Sequence, residues 1–229
     1  MANNYHDATG VLVLDRVTPV ITALFGAFNL DESYPGNGEA YIARISESND
    51  PQWSDVLDGL VDLAARLDLP VPDDEDLSIE PVLEMLAKHF GADENTDLQN
   101  LLEHHTFDDS ADLEALLLIA SCFDDGHNLA AIRFEGCWHC SKPRLFEFGG
   151  HGCFLSREVT LYGDSSHAMD LGQDLRKALQ AGDLDAAAAR LALEVVALLA
   201  GIHDERTRES LRLRLTERLL TNAAPHRSL

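Results

Sequence analysis

Residues 128–162 read NLAAIRFEGCWHCSKPRLFEFGGHGCFLSREVTLY, and this stretch separates the chain from an all-helical protein. Apolar and polar side chains alternate through much of it, aromatic residues are frequent, and glycine and proline punctuate it. That is the pattern of an antiparallel meander with one face on a core. The spacing predicts strands near Leu129–Glu135, Arg144–Phe148 and Phe154–Tyr162, with turns at Lys142-Pro143 and Gly149–Gly152.

Upstream, GVLVLD at Gly10–Asp15 reads as a further strand. Thr18-Pro19 then starts a helix, with Thr18 as N-cap and Pro19 at the first helical position. Val20, Leu24, Phe25 and Phe28 recur at helical spacing and give that helix one apolar face. Proline and glycine make Ser33–Gly38 a loop, and Glu39–Ile45 alternates as a strand. The chain therefore opens strand, helix, strand.

Between these strands and the meander lies an acidic helical block, residues 50–125. From Asp55 to Glu114 it carries eighteen Asp and Glu against Arg66 and Lys88 alone. Asp50-Pro51 starts a helix running to about Asp68, with Trp53, Val56, Leu57, Leu60, Val61 and Leu67 inward. Leu69-Pro-Val-Pro72 breaks it, and Asp73–Asp76 is a charged loop that lacks the glycine and final glutamate of a calcium loop. Ser78 caps a helix that ends at Phe90 before Gly91. Shorter helices follow at Asp97–His105 and Ala111–Phe123, the latter capped by Ser110. Downstream of the meander, Ser166 caps a helix to Ala181, Gly182 closes it, and Asp183 caps an apolar helix to Ala200. Beyond Gly201 a last helix sets Leu211, Leu215 and Leu219 on one stripe.

These elements predict an α+β fold. A small antiparallel sheet, drawn from the N-terminal strand-helix-strand and the central meander, packs with helices, and the chain ends in a helical hairpin. The division expected is 1–165 for the α+β domain and 166–229 for a helical segment that packs on it or mediates self-association.

Of the 229 residues 45% are hydrophobic, enough for a core, while the formal net charge is −23. Such a surface disfavours direct nucleic-acid binding and anionic membranes. The N-terminus shows no signal peptide, and the longest apolar run, Leu184–Ile202, is interrupted by Asp185, Arg190 and Glu194. Cytoplasmic location is expected, with four cysteines kept as thiols or bound to metal.

Cys137-Trp-His-Cys140 is the sharpest local motif. Together with His151 and Cys153 it offers four ligands for a structural zinc. If residues 136–141 continue a strand, however, Cys137 and Cys140 point to opposite faces. Gly163-Asp-Ser165 superficially resembles the block of the Gly-Asp-Ser-Leu serine hydrolases. Here the fourth residue is Ser166 and no Asp-x-x-His follows, so Ser165 and Ser166 read as helix caps. The ten histidines are scattered and read mostly as surface or capping residues. No phosphate loop is present, and no cofactor is expected beyond zinc.

The leading expectation is a non-catalytic interaction or regulatory protein whose anionic helical face meets a basic partner. Carboxylates on rigid helices imitate spaced phosphates, so nucleic-acid-binding proteins are the partner class named. The surface expected is Asp55, Asp58, Asp62, Asp68, Asp73, Asp74, Glu75, Asp76, Glu80 and Glu84, with Asp55, Asp58 and Asp62 on one side of their helix. Two alternatives stay open: a structural zinc protein through Cys137, Cys140, His151 and Cys153, and a hydrolase whose site assembles from dispersed residues. Self-association through the C-terminal helices is the remaining expectation.

Overall fold

The computed structural model describes residues 4–71, 77–142, 144, 145 and 147–222. The fold is α+β, an antiparallel sheet with eight helices among these residues. Two compact units divide it, Met1–Ser156 and Arg157–Leu229.

In the first unit the strands are β1 (Asn4–Val13), β2 (Asp31–Pro35), β3 (Glu39–Ile45), β4 (Ala131–Cys140) and β5 (Phe148–Ser156). They hydrogen-bond in the order β2-β3-β1-β4-β5, so β1 is central and pairs antiparallel with both β3 and β4. Helices α1 (Pro19–Phe25), α2 (Trp53–Arg66), α3 (Ile79–Phe90), α4 (Thr96–His104) and α5 (Leu113–Cys122) supply the rest. Strand period places Leu12, Ala40, Ile42, Ile132, Phe134 and Leu155 on one face of the sheet. All are buried in one core with α1, α2, α3 and α5. On the other face Tyr41, Arg133 and Glu135 stay at least partly in water.

Local signals set most helix ends. Thr18 caps α1 with Pro19 behind it, and Gly91 closes α3 at φ +70°, a left-handed conformation that glycine adopts at no steric cost. Helix α2 begins at Trp53 rather than at Pro51, because the N–H of Gln52 donates to the Asp55 carboxylate at 2.8 Å and fixes the first turn there. The expected cap at Ser110 is corrected to Asp112, which accepts from the N–H of Ala115 at 2.8 Å; Ser110 pairs instead with Gln52 in an isolated bridge. Residues 33–38, expected as a loop, begin in edge strand β2, paired to β3 through Asp31 and Pro35.

The meander departs furthest from expectation. Strand β4 runs on to Cys140, and Gly149–Gly152 lie inside β5 instead of forming a turn. The reason is across the strand. Gly149 faces Trp138, and a Cβ on Gly149 would stand 2.1 Å from the indole ring. Glycine here makes room for an aromatic neighbour.

Glycine also lets α1 and α2 approach. A Cβ on Gly59 would meet the Ala23 carbonyl oxygen at 2.2 Å. Gly59→Ala is therefore expected to destabilise the first unit by about 1–3 kcal/mol, although alanine is the better helix former by about 1 kcal/mol. A variant with unchanged or raised urea midpoint would show that the two helices can separate freely.

The second unit comprises strand β6 (Thr160–Asp164) and helices α6 (His167–Ala181), α7 (Leu184–Ala200) and α8 (Glu205–Asn222). Gly182 at φ +70° turns α6 into α7. The carboxylate of Asp164, rather than the Ser166 hydroxyl, caps α6: it accepts from the N–H groups of Ser166 and His167 and from the Ser166 hydroxyl. These bonds hold its pKa below the usual carboxylate value. Helix α8 carries its expected stripe, but Leu213 and Leu220 project from the opposite side, so it is apolar on two faces. Among the described residues no helix is long and apolar enough to cross a membrane.

Candidate acidic interaction surface

Helices α2 and α3 pack against each other and bury Trp53, Val56, Leu60 and Leu63 on one and Ile79, Val82, Leu83 and Leu86 on the other. Once these apolar stripes are committed to the core, helical period sends Asp58, Asp62 and Glu84 into water. Along α2, Asp58 and Asp62 are separated by about 6 Å at 1.5 Å per residue.

Not every carboxylate expected on this surface is free to act there. Asp55 is exposed but accepts the N–H of Gln52 and so belongs to its own helix terminus. Glu80 is a correction: it is half-buried, with its Oε2 enclosed and without a hydrogen-bond partner. Asp68 follows the end of α2 in a left-handed conformation, φ +55°. Asp73, Asp74, Glu75 and Asp76 lie outside the described residues.

The structure adds carboxylates beyond those the sequence places on the surface. Ala87, Ala92, Leu98 and Leu102 form the apolar floor of a groove of about 400 Å³ between α3 and α4. Glu84, Asp93 and Glu103 rim it, with Lys88 and Gln99 beside them. The phase of α4 is the available signal: Leu98 is buried, which places Glu103 on a different side of the helix. Among the described residues no ion pair engages Asp58, Asp62, Glu84, Asp93 or Glu103.

The expected zinc ligands are not brought together. Cys137 is exposed and Cys140 buried, on opposite faces of β4. Cys153 pairs with Phe134, six residues along β4 from Cys140, about 20 Å at strand rise. His151 pairs with Gly136 and turns to His6 instead, Nε2 to Nε2 at 3.4 Å, with the rings stacked 4.8 Å apart. Trp138 continues that stack at 6.0 Å from His151. Among the described residues no group of three or more His, Cys, Asp or Glu is placed to hold a metal ion.

The His6–His151 stack has a pH signature. Burial first, then the charges of His151 and Arg44, push the His6 pKa below 6.5, while Asp7 and Asp50 oppose the shift. The unfolded chain therefore binds more protons than the folded one as pH falls below 6.5, and stability declines in that window. Urea midpoints measured between pH 7.5 and pH 5.5 are expected to fall, and His6→Gln to flatten the dependence. An identical slope in the variant would remove His6 as its source.

Histidine also supplies a feature that sequence reasoning missed. His127, one of ten histidines read mostly as surface or capping residues, is fully buried. Its Nδ1 accepts the N–H of Leu129 at 2.8 Å, so Nε2 donates to the carbonyl of Ala120 at 3.1 Å. His105, half-buried against Trp53 and Phe107, reaches Asp112 at 2.6 Å.

No protein-family model matches this chain, and neither a curated protein nor a solved structure matches it.

Proposed function

We propose that this protein is a non-catalytic interaction or regulatory protein that presents an anionic helical face to a basic partner, a nucleic-acid-binding protein being the class that best fits. One observation carries the reading. Asp58, Asp62, Glu84 and Glu103 stand exposed on ordered helices anchored in the core, Asp93 stands exposed in the turn between α3 and α4, and none of the five has an ion pair among the described residues. Carboxylates fixed in place attract a cationic partner at long range and lose little freedom when it docks. The groove between α3 and α4 adds an apolar contact inside the charged rim, which suits an amphipathic basic segment. Free cysteines among the described residues fit action in the reducing cytoplasm.

Affinity capture of a panel of basic nucleic-acid-binding domains on the immobilised chain tests the reading. Retention is expected at low ionic strength, with displacement by duplex DNA and by about 0.5 M salt. Replacing Asp58, Asp62, Glu84 and Glu103 by their amides together is expected to weaken binding by about 10- to 100-fold, mainly through the association rate. A panel that passes unretained at low salt would sink the proposal.

A further inference from the structure

The second unit differs from the first in charge and in what it leaves in water. Residues 1–156 carry 29 acidic against 7 basic side chains, whereas residues 157–229 carry 11 against 10. Nearly all of the net charge of −23 therefore belongs to the first unit. The second is close to neutral, so two copies of it can approach without the repulsion that the first units exert on each other.

Its helices are also short of cover. Apart from Asp185, Arg190 and Glu194, helix α7 is built of Ala, Leu and Val, a composition that calls for cover on more than one side. Among its described residues Ala187 alone is buried, and α6 has none. Leu184, Leu191 and Leu198, spaced by seven residues, are 70%, 50% and 60% exposed. Leu193 and Val196 stand exposed on the far side of the same helix. On α8, Leu213, Leu219 and Leu220 are likewise exposed. At roughly 100 Å² apiece these side chains together expose about 800 Å², the scale per partner that a stable interface buries, spread over both sides of α7 and α8.

From this we infer that the helices of residues 157–229 are a self-assembly module, and that a second copy of this chain covers the leucine stripes of α7 and α8. The charges suit a like partner. Arg206, Arg214 and Arg218 of α8 have no ion pair among the described residues, and neither have Asp170 of α6 and Asp185 of α7. One unit thus carries both halves of a set of intermolecular pairs, the self-complementarity that a two-fold interface requires. The apolar stripes supply the driving force and the charges fix the register. The inference uses a different surface from the proposed acidic one and stands whether or not a basic partner binds there.

Light scattering on the eluting 229-residue chain at about 50 µM tests it. The expected mass is at least twice the 25.1 kDa of one chain. Leu191→Glu with Leu198→Glu is expected to return it to one chain with helical circular dichroism retained, since both side chains already face water. Leu191→Gln with Leu198→Gln is the milder pair should the charged one lose its helices. Asp58→Asn with Asp62→Asn should leave the mass unchanged. A wild-type mass of one chain would overturn the inference. So would assembly that survives the leucine substitutions, or that dissolves in about 0.5 M salt and so rests on charge alone.

Discussion

Phe123→Ala is expected to cost the first unit about 3–5 kcal/mol, a large share of the stability of an ordinary domain. Phe123 is fully buried at the C-terminal end of α5, where its N–H closes the helix on the carbonyl of Ile119. Its ring stacks on Phe90, the last residue of α3, with centroids 5.3 Å apart and planes 16° from parallel. Truncation removes that pair and leaves a cavity that neither helix end can close, since each is fixed by its own cap. Trp53 and Trp138 both lie in residues 1–156, so fluorescence-detected urea unfolding reports on this unit. The midpoint should fall with little change in slope. Binding of a basic partner should weaken in parallel where the unit is partly unfolded, because α3 carries Glu84. A loss below about 1 kcal/mol would mean that the α3–α5 junction repacks, and that this contact does not fix the acidic helix.

His127→Ala follows, with an expected loss of about 2–4 kcal/mol. The imidazole is enclosed and spends both nitrogens on backbone, joining the carbonyl of Ala120 in α5 to the N–H of Leu129 just before β4. The carbonyl of His127 itself accepts the N–H of Asp15 at 2.9 Å. The residue therefore fastens the acidic helical block to the sheet. Without the ring, a buried donor and a buried acceptor lose their partners, which costs more than the lost bonds themselves contributed. His127→Phe keeps the volume but not the bonds and should be nearly as damaging. His127→Asn retains an amide acceptor and should recover part of the loss. If His127→Phe unfolds at the wild-type midpoint, the ring matters through its volume alone.

Where structure depends on neighbours in sequence, the sequence is a good guide. Thr18-Pro19, Gly91, Gly182 and Asp183 mark helix ends by chemistry that acts within one turn, and the structure places those ends there. Where it depends on a distant partner, the sequence misleads. Nothing near Gly149 says that Trp138 lies across it, so glycines that admit an aromatic ring read as a turn. His127 reads as a loop residue because its partners, Ala120 and Leu129, become partners through the turn between α5 and β4. The acidic surface is legible by composition but not residue by residue. Helix phase separates exposed Asp58 and Asp62 from half-buried Glu80, and the groove places Asp93 and Glu103 beside Glu84 only once α3 and α4 pack. The alternation that turns Cys137 away from Cys140 follows from strand period alone, once β4 is known to run on to Cys140.

That alternation gives the experimenter a handle. Cys140 is sealed, Cys122 is half-buried against the core, and burial, with the nearby Glu114 charge second, pushes the Cys153 thiol up and lowers its thiolate fraction. A maleimide dye applied briefly to the native chain should therefore attach first at Cys137, on the side of the sheet turned away from the helices. The wild-type molecule then carries one fluorophore at a known spot without any engineering, and the later arrival of further label would time the openings that expose Cys122, Cys153 and Cys140.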